Sequence, residues 1–237
     1  MKRRLNAFSL VKIFKSLFNL VRLLLILLPM FAPMVEAHFL KEKIHILKEN
    51  IKKEQANFPK GNLEDVVYVK KILAQMVVLD QEVRALIIHD LDDPSIQQFL
   101  IDMDEFHTGK MKEILKRHGW PSISKFGAEA DYHAWMLVQH ADADPIFQAG
   151  CLFILSQLVE MGETAQKNYA YLYDRVTLKF QHLGMKQKYG TQINISGNTF
   201  KILPFEGTLS ELNQRRLKMG LSPIKTYLEE IKKHYQR

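Results

Sequence analysis

Leu40, Ile44, Leu47 and Ile51 recur at four, three and four residues, with Lys and Glu at most positions between. That spacing puts the apolar groups on one helix face and predicts an amphipathic helix over roughly 38–55, ended by FPKGN. Asn62, with Asp65 three residues on, is a loose capping pattern for a second helix. Val66, Val69, Leu73, Met76, Val77, Val83 and Ile87 line that helix, which should end near His89. Asp93 and Pro94 fit the cap and first position of a third, with Leu100, Met103, His107, Met111 and Leu115 in period and Gly119 as its stop. PSISKFG reads as a loop before a fourth helix, AEADYHAWMLVQHA. Asp144 and Pro145 open a fifth, IFQAGCLFILSQLVEMG. It is apolar nearly all round, which is expected of the central helix of a bundle. A sixth follows Gly162 through YAYLYDRVTLKF.

The period then changes. YGTQINISGNTFKIL has β-branched and aromatic runs on either side of Ser196-Gly197-Asn198, which predicts a short hairpin. Thr208 with Glu211 caps another helix, Gly220 stops it, and Ser222-Pro223 opens the last. The fold class expected is mainly α: a single helical domain of seven or eight helices with a small late β-hairpin. It would occupy 61–237, after an N-terminal helical extension at 38–60. With 237 residues, 47% of them hydrophobic, the chain is long enough to bury a sizeable core.

The first 37 residues do not belong to that domain. They run from a basic start through the apolar stretch Leu23–Val35 to Val35-Glu36-Ala37, the small-residue pattern of a cleavage site. This is the pattern of a secretory signal peptide cut after Ala37, and it places the mature chain in the periplasm or outside the cell. The apolar stretch is short for a membrane span of ~30 Å. If the leader is retained, it is a membrane anchor instead. It also accounts for most of the net charge of +7. Six basic residues and one acid lie before His38, leaving 27 basic against 25 acidic groups. A nucleic-acid partner is therefore not indicated, since phosphate binding needs clustered positive charge. The only cysteine, Cys151, lies in an apolar run, so no intramolecular disulfide forms.

Charged groups on apolar helix faces need a partner or a function, because an unpaired buried charge costs several kcal/mol. Asp80 and Arg84 share a face of the second helix at four-residue spacing. They are either an ion pair or a means of binding an anionic substrate group. Asp104 reaches His107 and Thr108 at helical spacing, and a carboxylate can fix a histidine's tautomer. At the junction VQHADADPIFQ, Asp144 has a capping duty, while Gln139, His140 and Asp142 have none. The adjacent Asp174 and Arg175 serve different partners, and Tyr189 and Gln192 flank the hairpin entry in QKYGTQ. The candidate site is thus His140 and Asp142 for catalysis, with Asp80, Arg84, Asp104, Gln139, Asp174, Arg175, Tyr189 and Gln192 for binding.

HExxH, paired CxxC, GxSxG and GxxxxGK[ST] are all missing. His107, His140, Asp142 and Asp174 have no recognised metal-ligand spacing, so no metal is assigned. No cofactor is indicated.

Six ordered motifs do carry a resemblance: DQxVR (80–84), HGWP (118–121), AWxxVQHADxDPxFQ (134–148), YAxLxDRV (169–176), QxYGTQ (187–192) and RRxxxGL (215–221). Together they resemble a bacterial family catalogued as domain of unknown function 6624. The resemblance implies that these polar groups form one recurring arrangement; it implies no reaction. Two readings stand. One is a small exported hydrolase with His140 as general acid/base and Arg84 or Arg175 on substrate charge. The other is a non-catalytic protein of the cell envelope that binds a small molecule or an envelope component in its polar pocket.

Overall fold

The computed structural model describes residues 63–87, 94–196 and 199–235, together with Glu42, His45, Ile46, Glu49 and Lys52. The chain divides into two units, Met1–Pro59 and Lys60–Arg237. In the first, the five described residues are helical, and Lys52 donates to Glu49 at 3.0 Å. The leader, Asn62, Asp93 and the hairpin tip Gly197-Asn198 lie outside the described residues.

The second unit begins with α1 (Val66–Ile87). Its cap is Asp65, whose side chain accepts the Val67 N–H at 2.8 Å. Helix α2 (Pro94–His118) ends at Gly119, which takes a φ of +70. The expected loop contains a single helical turn, α3 (Ile123–Phe126). It forms because the Ile123 N–H donates to the Glu163 carbonyl at 3.0 Å while Phe126 buries. Then come α4 (Ala128–Gln139), α5 (Pro145–Glu160), α6 (Gln166–Lys179) and a 3-10 turn, Gln181–Leu183. Strands β1 (Ile193–Ser196) and β2 (Thr199–Ile202) pair antiparallel, with Ile193 opposite Ile202. Helices α7 (Leu209–Lys218) and α8 (Ile224–Tyr235) complete the chain. Thr208 and Glu211 form the expected capping box. The second unit is therefore mainly helical, with eight helices and a late two-stranded hairpin among its described residues. None of these helices is long and apolar enough to cross a membrane.

The centre of the bundle is not where hydropathy puts it. Helix α4 packs on α1, α2, α3, α5 and α6, and buries Ala134, Leu137 and Val138. Helix α5 packs chiefly on α6 and buries only Gln148, Cys151 and Leu155. Apolarity raises the gain from covering a helix, but it does not supply the element that covers it. Burial pushes the Cys151 thiol up to about 12, so it stays a neutral core group.

Candidate functional site

Helix α1 carries a carboxylate on its core face. Asp80 is 0% exposed and is satisfied from three sides. Arg84, one turn on, donates Nε to Asp80 Oδ1 at 3.0 Å, and Gln81 donates to Oδ2 at 2.7 Å. His140, which ends α4, brings Nδ1 to 2.9 and 3.0 Å from the two Asp80 oxygens. Arg84 also reaches α2, where its Nη2 donates to Asp104 Oδ1 at 2.5 Å. One guanidinium thus bridges two carboxylates, and one carboxylate holds an imidazole.

The two acids are tuned in opposite directions. Burial pushes the Asp80 carboxyl up, but His140 and Arg84 outweigh it and hold it below the ordinary range. At Asp104 burial wins over the attraction of Arg84, and the carboxyl sits above that range. Arg84 Nε also lies 3.1 Å from Nδ1. With the Arg84 and imidazole N–H groups both directed to the ionised Asp80, the imidazole proton sits on Nδ1 and Nε2 keeps its lone pair. Asp80 is sealed at the base, whereas the His140 side chain is 18% exposed and Arg84 and Asp104 are also only partly covered.

Asp104 does not hold His107. Its carboxylate turns to Arg84, and the Thr108 hydroxyl donates to the Asp104 backbone carbonyl at 2.7 Å. His107 is 2% exposed, and neither ring nitrogen has a partner among the described residues. Burial brings its pKa down to about 4, so the ring is neutral near pH 7.

Asp142, two residues past His140, faces a different helix. Arg175 on α6 grips it with Nε at 3.0 Å and with Nη2, and Lys179 adds a contact of 2.8 Å. Burial pushes this carboxyl up, but Arg175 and Lys179 bring it below the ordinary range. Arg175 Nη1 also donates to the Gln192 side chain at 3.1 Å. Asp142, Arg175 and Gln192 are therefore joined directly, while His140 is joined to Asp80, Arg84 and Asp104.

Asp174 points away from Arg175, as adjacent helix positions must. Its buried carboxylate accepts the N–H groups of Lys188, Tyr189 and Thr191 at 2.8, 3.0 and 2.9 Å, and the Thr191 hydroxyl at 3.0 Å. This shapes the hairpin entry, where Gly190 takes a φ of +61 and a Cβ would come within 3.1 Å of Leu212. The buried Tyr189 ring packs against Tyr169 and Tyr173. Asp174 and Tyr189 thus build the loop and are not brought to His140. Gln139 is buried, and its side-chain oxygen lacks a partner among the described residues. Among those residues no group of three His, Cys, Asp or Glu could hold a metal ion.

Two buried hubs escaped the reading of the sequence. Asp131 accepts from Trp120 Nε1 and Thr164 Oγ1, both at 2.7 Å, and from Ala165 N and Asn168 Nδ2. In the sequence it looks like an acid in the first turn of a helix, a position favourable in any surface helix. Arg216 is wholly buried beneath the Tyr227 ring and donates to the carbonyls of Tyr189, Gly190 and Ser222. Its signal was the RRxxxGL motif, in which only one of the two arginines is buried.

No curated protein and no solved structure matches this chain. One family model matches residues 68–236, a span that takes in all the groups above. The chain belongs to that family, which is described as a family of unknown function (DUF6624).

Proposed function

We propose that the protein is an exported hydrolase with His140 as its proton-transfer group. The observation that carries this reading is the Asp80–His140 pair, a buried ionised carboxylate bonded to Nδ1 of a partly exposed imidazole. In that role Asp80 is a positioning residue: it fixes the tautomer and stabilises the imidazolium once His140 Nε2 takes a proton from water. The water attacks the substrate's electrophilic centre. His140 then gives that proton to the leaving group, and Asp104 holds Arg84 beside it. Arg84 sits between the two and stabilises negative charge that develops there. Asp142 stays ionised under Arg175 and Lys179 and holds the junction that presents His140. Export rests on the leader, which reads as a cleaved signal.

The test is turnover of ester, amide, phosphoester and glycoside substrates by the native protein, His140→Ala and Asp80→Asn. Hydrolysis of one class is expected, with a loss of roughly 10²–10⁴-fold in either variant. Full activity in His140→Ala, or no turnover of any class, overturns the reading.

The second reading, a non-catalytic binding protein, draws on a separate recess. About 420 Å³ lies between α6 and α8, bordered by Lys167, Tyr171, Leu221, Tyr227 and Glu230 with Arg216 in its wall.

A further inference from the structure

Among the described residues, helix α5 keeps one face without a partner. Helix α5 exposes Ile146, Gly150, Phe153 and Gln157, at spacings of four, three and four, opposite the buried Gln148, Cys151 and Leu155. Ile146 is 84% and Phe153 70% exposed. No Asp, Glu, Lys or Arg occurs from Pro145 to Val159. Gly150 stands in the middle of this stripe. A glycine inside a helix is less stable than alanine, and here a Cβ would meet nothing within 4 Å. The packing among the described residues therefore gives no reason for it. A second helix crossing the stripe at close range would.

We propose that α5 pairs with α5 of a second copy of this chain, antiparallel, about a two-fold axis between Gly150 and Phe153. In that register Phe153 of each copy seats over Gly150 of the other, and Ile146 meets Gln157. A two-fold contact must be self-complementary, and an uncharged stripe meets that condition without burying an ion. Charges lie only at its ends. Lys112 flanks the N-terminal end, 2.6 Å from Asp144 and 5.5 Å from the Phe147 ring centre. Exposed Glu160 closes the C-terminal end. Antiparallel pairing sets Lys112 of one copy beside Glu160 of the other at both ends and opposes the helix dipoles favourably. A lipid surface fits less well, because no Lys or Arg occurs on the helix itself from Pro145 to Val159.

Sedimentation equilibrium of the full chain tests this. The native protein is expected to be a dimer. Phe153→Glu and Gly150→Leu should each weaken it by roughly thirtyfold or more, with unchanged far-ultraviolet circular dichroism. Gly150→Leu is the safer variant for folding, since its site is empty in the single chain. Lys112→Glu should weaken the dimer, and adding Glu160→Lys should restore it. A native monomer overturns the proposal. So does a dimer that both Phe153→Glu and Gly150→Leu leave intact, for then another surface holds it.

Discussion

Asp80 and His140 stand 60 residues apart in the chain, yet both oxygens of the wholly buried carboxylate lie within 3.0 Å of the imidazole Nδ1. Arg84 completes the group and ties it to Asp104 on the neighbouring helix. The carboxylate is stable in the core only because its partners are in place.

Arg84→Ala tests that dependence. Asp80 would keep His140 and Gln81, but Asp104 would lose its cation. A loss of about 3 kcal/mol is expected, the low end for breaking a buried pair. Urea melts of Arg84→Ala, Asp80→Asn and the double variant measure it, and the double should cost less than the sum. A loss below about 1 kcal/mol would mean that the pair behaves as a surface one.

His107 sets a pH dependence. Its pKa falls from 6.5 to about 4 on folding, because burial disfavours the charged ring. A depressed histidine stabilises the fold above its unfolded value, and that stability is lost as pH falls from 6.5 toward 4. The shift corresponds to about 3 kcal/mol. Asp80 acts in the same direction at lower pH, since its carboxyl is also held below its ordinary value of 3.8. Denaturation midpoints measured across pH 4–7 should fall on acidification, and His107→Leu should flatten that slope. An unchanged slope in the variant would assign the acid sensitivity to other groups.

Asp174→Asn should loosen the hairpin entry. The carboxylate accepts four hydrogens, and an amide presents an NH₂ where one oxygen receives the Thr191 N–H and hydroxyl, or the Lys188 and Tyr189 N–H groups. With the NH₂ on the Thr191 side the hydroxyl can turn to accept, which leaves one N–H facing a donor, at a cost of about 1–3 kcal/mol. Hydrogen exchange should accelerate at Lys188, Tyr189 and Thr191 before it does in α4. Equal protection in variant and native protein would show that the loop holds without this carboxylate.

The leader is tested by expression in a bacterial host. The exported protein should begin at His38, as the Val-Glu-Ala ending requires. A product that begins at Met1 and sediments with membranes would make the leader an anchor.

Much of this architecture was legible because helix ends are local events. Asp144 caps α5 through the Phe147 N–H at 2.9 Å, three residues away, and Thr208 and Glu211 close a box over the same distance. Gly119 and Gly220 stop their helices through a φ of +70 and +67 that other residues rarely adopt. Such signals lie within one turn of the residue they act on, so a reading along the chain finds them. The Asp80–Arg84 contact was visible for the same reason.

Tertiary structure alone decided which polar groups meet across helices. Asp104 had two plausible partners on its own helix and took Arg84 from another, because a guanidinium is a stronger partner for a carboxylate than a neutral ring. Asp174 is satisfied mainly by backbone N–H groups, which every residue but proline carries and which no side-chain pattern announces. Helix α5 shows the same limit from the apolar side. Its composition determined that it would gain from being covered; the placement of α4 among five neighbouring helices determined that one face of α5 would not be.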